Sequence, residues 1–158
     1  MSNKKIKIVK DGPYIIPGDI PLEKEFVVPD NNNDPLGWKK GEKYQTEGEY
    51  HLCRCGKSCN KPFCDGNHVK TEFDGTETAS NKSYDKQAEI TSGPEIDLMD
   101  APRLCSGGRF CHRHGGTWDL TTKSDNPEAK KIAIEEACNC PSGRLKAIDK
   151  KTGKTIEP

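Results

Sequence analysis

The first third of the chain alternates short apolar runs with turn-forming residues. The runs KIKIV, PYII and FVV are separated by KDG and PGD, so residues 5–28 are predicted to form three short strands. The polar stretch 29–48 is rich in Asn, Gly and Pro, which predicts a loop with Leu36 and Trp38 turned inward. The apolar residues of 49–52 predict a further strand that leads into the first cysteines.

A helix after residue 126 is the clearest element of the second half. Asn126 can cap it, Pro127 suits the first helical position, and alanine and isoleucine recur on one face as far as Ala137. The segment 144–158 predicts a hairpin with its turn near 151–153. Short strands followed by a helix and a hairpin indicate an α+β fold of two small lobes.

The composition shifts to polar residues after residue 76, which favours a boundary between two domains. We predict a first domain at 1–80, a linker at 81–98 and a second domain at 99–158. Only 31% of the 158 residues are hydrophobic and 6% are aromatic, so apolar burial alone would leave two such small lobes marginally stable. Bound metal is a common way to stabilise domains of this kind.

The charge balance and the hydropathy of the chain indicate which partners and which compartment to expect. The 25 basic residues balance the 25 acidic residues, and no basic stripe is present, so neither nucleic acid nor a membrane surface is an expected partner. No apolar run is long enough to cross a bilayer, and the first residues lack the apolar segment of a signal peptide. We therefore expect a cytoplasmic protein with eight reduced cysteines.

The segment CRCGKSCNKPFCDGNH holds the strongest candidate metal site. Four soft or borderline donors fall within it: Cys53, Cys55, Cys64 and His68. Structural zinc sites usually draw their ligands from C-x-x-C knuckles, so this spacing favours an iron-sulfur cluster over zinc, although zinc stays an alternative. Pro62 is predicted to begin a short helical turn that aligns Cys64 with His68, and Cys59 is expected to be a free thiol.

The runs CRCGKS and NKPFCDGNH together resemble the CDGSH iron-sulfur domains, the family that includes mitoNEET. The matching motif positions are Cys53, Cys55, Ser58, Pro62, Cys64, Asp65, Gly66 and His68. Asn67 departs from the family, which usually has Ser, Ala or Thr there. The resemblance implies a small β-rich lobe with a 2Fe-2S cluster on three cysteines and His68. A neutral imidazole in place of a thiolate raises the reduction potential of such a cluster.

The second half carries a weaker cysteine pattern. Cys105 and Cys111 are followed much later by Cys140, and a proline directly after a ligand cysteine is typical of bacterial ferredoxins. The pattern resembles divergent mono-cluster ferredoxins in which the middle cysteine of C-x-x-C-x-x-C is missing, with Gly108 in its place. This resemblance implies a ferredoxin-like lobe with a 3Fe-4S cluster, or a 4Fe-4S cluster with a further ligand.

Cys138 is the leading candidate for that further ligand. With Cys138 the site becomes an all-cysteine set, which also suits a 2Fe-2S cluster or a structural zinc ion. His112 and His114 lie in the loop CHRHGG and are expected to be exposed to solvent instead of binding metal.

The sequence contains no nucleophile and base pair, phosphate loop or nucleotide fingerprint, so we do not expect an enzyme. The favoured function is electron transfer through two clusters to protein redox partners. The first alternative is storage of a cluster or its transfer to apo iron-sulfur acceptor proteins, and the second is a structural zinc-binding module. A monomer is favoured over a homodimer, because the second lobe can replace the partner subunit that single-motif relatives use.

Overall fold

The computed structural model describes residues 5–18 and 20–157, which form two compact units. The first unit takes the described residues of Met1–Lys24 together with Lys40–Ser80. The second takes Glu25–Lys39 together with the described residues of Asn81–Pro158. Short antiparallel strands and short helices make up both units, which confirms the α+β class.

The regular elements of the described residues are short. In chain order the strands are β1 (Lys7–Ile8), β2 (Tyr14–Ile16), β3 (Leu22–Pro29), β4 (Pro35–Tyr44), β5 (Tyr50–Leu52), β6 (Glu89–Ser92), β7 (Ile96–Asp100) and β8 (Leu145–Asp149). The helices are α1 (Asn67–Lys70), α2 (Thr117–Thr122) and α3 (Pro127–Cys138). Of these helices, none has both the length and the apolar composition needed to cross a lipid bilayer.

The first unit is built on an antiparallel sheet in the order β1-β2-β5. Pro13 and Pro17 flank β2, and because proline cannot donate to a strand ladder they limit this strand to three residues. Ile16 is 3% exposed and pairs with Tyr50 of β5. The pairing with β2 fixes the position of β5, which ends directly before Cys53. The strands predicted within 5–28 and 49–52 are confirmed.

β3 and β4 form a separate two-stranded sheet, so the loop predicted at 29–48 is wrong over 35–44. The turn between the strands is organised by Asp30, whose Oδ1 accepts the N–H groups of Asn32 at 2.8 Å and Asp34 at 2.9 Å. Strand formation depends on cross-strand neighbours more than on composition, and β3 supplies those neighbours to a polar segment.

Of the two residues of β4 expected to turn inward, only Trp38 does so. Its ring stacks on Phe110 with the centroids 5.1 Å apart, and its Nε1 donates to the carbonyl of Asn139 at 3.3 Å. Leu36 is 49% exposed, so the prediction for that residue is wrong.

The helical turn predicted from Pro62 is also wrong, because α1 begins only at Asn67. Phe63 instead forms a β-bridge with Leu52, and the amide of Cys53 donates to the carbonyl of Pro62 at 2.8 Å. The amide of Phe63 also donates to the carbonyl of Asn60 at 2.8 Å, so a turn and a β-bridge take the place of the expected helical turn.

The second unit contains an antiparallel sheet in the order β6-β7-β8. The central strand is the most buried, with Ile96 and Leu98 both 0% exposed. β6 and the first part of β7 lie within the range 81–98 that was expected to be a linker. The predicted domain boundaries themselves stay a prediction.

α3 packs against this sheet and confirms the helix predicted after residue 126. Oδ1 of Asn126 accepts the N–H groups of Glu128 at 2.8 Å and Ala129 at 3.2 Å, which satisfies two free amides of the first turn. Ala137 of α3 joins a buried cluster with Leu98 of β7 and with two residues of β8. The helix therefore holds Cys138 and the following cysteine beside the sheet.

The chain end returns along β8, as the predicted hairpin requires. Ile148 forms a β-bridge with Thr155, and the amide of Gly153 donates to the carbonyl of Asp149 at 2.8 Å. Gly153 has a φ of 67°, a left-handed conformation that glycine adopts without strain. The turn predicted near 151–153 is confirmed.

Candidate metal centres

Cys53 and Cys55 form the first donor pair of the first unit. Their sulfur atoms lie 3.8 Å apart, and both side chains are half-buried. A tetrahedral metal ion with metal–sulfur bonds of about 2.3 Å needs two sulfur ligands about 3.8 Å apart. The two cysteines are therefore spaced as ligands of one metal ion.

The loop that follows this pair turns its backbone amides toward the sulfur atoms. The N–H of Ser58 is the main cause that lowers the pKa of the Cys53 thiol, and the amides of Gly56 and Lys57 add to it against the opposing effect of burial. The amide of Lys57 also donates to Sγ of Cys55 at 3.4 Å. Amides that donate to sulfur favour the thiolate, which is the form that binds metal.

Cys64 and His68 form the second donor pair. Cys64 precedes α1, His68 lies within it, and Sγ of Cys64 is 3.3 Å from Nδ1 of His68. A tetrahedral ion with bonds of about 2.3 Å to sulfur and about 2.0 Å to nitrogen separates such ligands by about 3.5 Å. This pair is also spaced for one metal ion, and Nδ1 is the ring nitrogen that faces the sulfur.

A β-bridge brings the two pairs to the same part of the unit. Leu52 pairs with Phe63, and the amides of Cys53 and Cys64 close the bridge with hydrogen bonds of 2.8 and 2.9 Å. In a regular antiparallel ladder this register makes Cys53 and Cys64 diagonal neighbours on one face, with Cα atoms about 7–8 Å apart. Among residues 5–18 and 20–157, no three or more His, Cys, Asp or Glu side chains are grouped around one metal position.

Asp65 and Asn67 order the loop between the pairs. The carboxylate of Asp65 accepts the amides of Cys59 at 2.8 Å and Asn67 at 3.0 Å, and the Cys59 amide is the main cause that lowers the Asp65 pKa. The side-chain amide of Asn67 donates to the carbonyl of Lys57 at 3.2 Å and contacts Sγ of Cys59 at 3.6 Å. Asn67, the residue that departs from the CDGSH motif, therefore stabilises this loop through its hydrogen bonds. Cys59 is exposed and belongs to neither donor pair.

Arg54, between Cys53 and Cys55, is a structural residue that sequence reasoning missed. Its guanidinium donates to the carbonyls of Val9 at 3.2 Å and Gly75 at 2.6 Å, and it lies near the rings of Tyr14 and Phe73. No spacing rule connects residue 54 with positions so far away in the chain. Arg54 ties both flanks of the first unit to the loop that carries the donors.

In the second unit, Cys105, Cys111 and Cys140 line one cavity. Cys105 is exposed, whereas the other two are half-buried. The fold thus brings together the three cysteines that the ferredoxin-like pattern singled out, across a gap of almost thirty positions between Cys111 and Cys140.

The three thiols differ in electrostatic environment. The pKa of Cys105 is lowered, first by the amide of Gly107 and then by a hydrogen bond from Arg144. Burial raises the pKa of Cys111. Cys105 is therefore the sulfur at which the protein most clearly stabilises negative charge.

Cys138 does not line this cavity. Its sulfur contacts the carbonyl of Ile156 at 3.6 Å, and it lines a separate pocket beside the end of the chain. Burial raises the pKa of Cys138, which favours the neutral thiol that can donate to this carbonyl. Cys140 lines that second pocket as well, so the structure places Cys138 near Cys140 but not in the cavity that the three cysteines share.

The two histidines near Cys111 are exposed, as expected. Nδ1 of His114 lies 3.2 Å from the carboxylate of Glu136, which is fully buried, and the ring of His112 lies 5.6 Å from that of Trp118. Neither histidine lines the cavity of the three cysteines.

Two protein families match the chain in separate segments. Residues 11–69 match the family described as iron-binding zinc finger, CDGSH type, and residues 91–150 match the family described as divergent 4Fe-4S mono-cluster. The chain joins a CDGSH segment to a mono-cluster segment. Both resemblances drawn from the motifs are confirmed, in the order predicted. A search of the curated proteins found no significant match.

The donor sets of both segments fit iron-sulfur clusters. The CDGSH segment contains both donor pairs, and thiolate and imidazole are donors that suit iron and zinc. The mono-cluster segment contains the three cysteines of the cavity, and thiolates are the usual ligands of iron-sulfur clusters. The chain therefore has iron-sulfur-binding domains in both halves.

Proposed function

We propose that the chain is an electron-transfer protein that holds two iron-sulfur clusters. The first is a 2Fe-2S cluster, with Cys53 and Cys55 on one iron and Cys64 and His68 on the other. The pairwise spacing carries this proposal, because the sulfurs of one pair lie 3.8 Å apart and the donors of the other lie 3.3 Å apart. Two separate pairs suit two metal ions, whereas a structural zinc ion takes four donors around one point.

The residues of the first site set its charge. When bound, the cluster takes up and releases one electron at a time. His68 contributes no negative charge in its neutral form, so an added electron meets less repulsion than it would with a fourth thiolate. The amides around Cys53 and Cys55 stabilise the remaining thiolates. These features favour a potential above that of an all-cysteine 2Fe-2S site.

The second cluster is held by Cys105, Cys111 and Cys140, which share one cavity. Three cysteines suit a 3Fe-4S cluster, or a 4Fe-4S cluster with one ligand that is not a cysteine. The match to the divergent 4Fe-4S mono-cluster family supports a cluster at this position.

The partners we propose are redox proteins that exchange electrons with the clusters, and we propose no chemical transformation of a small substrate. Delivery of a cluster to an apo acceptor protein is the alternative. Incubation with an apo-ferredoxin distinguishes the two: reversible reduction with retention of both clusters supports electron transfer, and rapid transfer of iron and sulfide supports delivery.

The test of the ligand sets is a metal and sulfide analysis of the anaerobically purified chain, combined with EPR. We expect iron and acid-labile sulfide in the amounts of one 2Fe-2S cluster and one 3Fe-4S or 4Fe-4S cluster. EPR of the oxidised and reduced protein separates the three cluster types. Zinc without acid-labile sulfide would overturn the proposal.

A further inference from the structure

Arg144 lies directly before β8 and lines the cavity of the three cysteines. Cys105, the exposed cysteine of the three, lines the same cavity. The ferredoxin-like pattern does not mark Arg144, because the pattern concerns only cysteines and the proline after the last of them.

A buried carboxylate holds the Arg144 side chain in place. Nε and Nη2 of Arg144 donate to the two oxygens of Asp100 at 2.5 and 2.7 Å. Asp100 is 7% exposed, and Nε1 of Trp118 donates to it at 3.0 Å. The Trp118 ring centroid also lies 5.4 Å from Cζ of Arg144. A planar guanidinium that is hydrogen-bonded through two nitrogen atoms and flanked by an aromatic ring has little freedom to turn away from the cavity.

The backbone at residue 144 is fixed as well. Its carbonyl accepts the amide of Ala101 at 3.0 Å and the hydroxyl of Tyr84 at 2.7 Å. The register of the sheet pairs Asp100 with Leu145, which places the carboxylate beside the residue that it holds. The fold thus holds the Arg144 side chain at the cavity through Asp100.

The order of charges around the cavity decides the effect of Arg144 on the cluster. Arg144 lines the cavity and Asp100 does not, so the cation is nearer to the three cysteines than the anion is. A cation beside ligand sulfur atoms stabilises the extra negative charge of a reduced cluster.

We propose that Arg144, held by Asp100, raises the reduction potential of the second cluster through its positive charge at the cavity of the three cysteines. The inference rests on the proposed function, since it requires a cluster on these three cysteines. It adds a residue that sets the potential at which the cluster accepts one electron from a protein or chemical donor.

The experiment is a redox titration of the full-length, cluster-loaded chain and its variants, followed by EPR. The signal of the second cluster is assigned by its loss in Cys111→Ala. In Arg144→Gln we expect the ratio of reduced to oxidised cluster at a fixed applied potential to fall by about tenfold, which equals a shift of 59 mV for one electron. Arg144→Lys keeps the positive charge but lacks the two-nitrogen guanidinium contact with Asp100. Its reduction potential should therefore lie between those of the parent and Arg144→Gln.

Arg109 offers a matched control because it also lines the cavity, but its guanidinium pairs with Asp34 at 2.7 Å and is 65% exposed. Arg109→Gln removes the same charge, and solvent screens an exposed charge. We therefore expect its potential to stay close to that of the parent. Equal shifts in Arg109→Gln and Arg144→Gln would overturn the proposal, as would an unchanged potential in Arg144→Gln.

A measurement on the unsubstituted chain covers the case in which Arg144→Gln does not retain its cluster. With ¹⁵N-labelled arginine, pulsed EPR of the reduced second cluster should detect a nitrogen coupling that persists in Arg109→Lys. Absence of this coupling would overturn the inference while leaving the proposed function intact. A chain without an iron-sulfur signal that depends on Cys111 would overturn the proposed second cluster, and the role of Arg144 with it.

Discussion

Gly108 and Pro141 are packed so closely that residue 108 has no room for a side chain. A Cβ atom built on Gly108 would lie 2.7 Å from Cγ and 2.9 Å from Cδ of Pro141. Residue 108 is the position of the middle cysteine in a C-x-x-C-x-x-C pattern. The ring of the proline directly after Cys140 thus occupies the space that a cysteine side chain at residue 108 would need. The absence of a cysteine at this position therefore has a steric reason.

Substitution of Gly108 by alanine should destabilise the second unit. Overpacking of a tight contact costs typically about 1–3 kcal/mol, and here the obstacle is a rigid proline ring. Denaturant unfolding of the cluster-loaded chain should show a lower midpoint for Gly108→Ala. The double variant with Pro141→Ala lacks both clashing atoms and should recover most of the loss. A Gly108→Ala chain as stable as its parent would contradict this packing argument.

Removal of the His68 side chain should abolish the first cluster but spare the second. His68→Ala leaves the iron on Cys64 with one protein ligand fewer, because Nδ1 lies 3.3 Å from that sulfur. His51→Ala is the matched control, since His51 lies in β5 and its side chain pairs with Glu49. Optical spectra and iron content should change only in the His68 variant. Equal losses of iron and of the cluster spectrum in both variants would show that His68 does not act as a ligand.

Replacement of His68 by cysteine tests the charge argument separately. An all-thiolate site carries one more negative charge, so the reduction potential of the first cluster should fall in His68→Cys. A redox titration followed by absorbance measures this shift. An unchanged potential with an intact cluster would argue that His68 is not a ligand.

Cys138 should be dispensable for the second cluster. Its sulfur contacts the carbonyl of Ile156 and lines a different pocket, so Cys138→Ala should keep the iron content and the EPR signal of the parent. Cys140→Ala removes a residue of the shared cavity and should lose both. Loss of the signal in Cys138→Ala would restore Cys138 as the fourth ligand.

The cap of α3 should contribute measurably to the stability of the second unit. Asn126→Ala removes the acceptor of two first-turn amides, a change that typically costs about 1 kcal/mol. For a chain of this size the thermal midpoint should fall by about 2–4 °C. Asn126→Asp keeps a capping oxygen and should stay near the parent. Circular dichroism on heating compares the three chains.

Features that depend on neighbouring residues were predictable from the sequence. The cap and extent of α3 follow from Asn126 and Pro127, and the hairpin turn follows from Gly153, because each depends on residues within one turn of chain. The resemblance of the first segment to the CDGSH family was also recognisable, since its motif is short and family-specific. The position of α1 was not, because a turn at 60–63 and the β-bridge between Leu52 and Phe63 occupy its expected first residues.

The sequence by itself determined the chemistry of the chain: which residues can bind metal, and that they fall into two groups matching two iron-sulfur families. Only the tertiary structure decided which donors meet. Cys138 ends α3 and Cys140 lies just beyond it, and residues two apart at a helix end face different directions, so one joins the cavity and the other does not. Arg144 pairs with Asp100, a contact between distant residues that strand register creates and that no local pattern encodes.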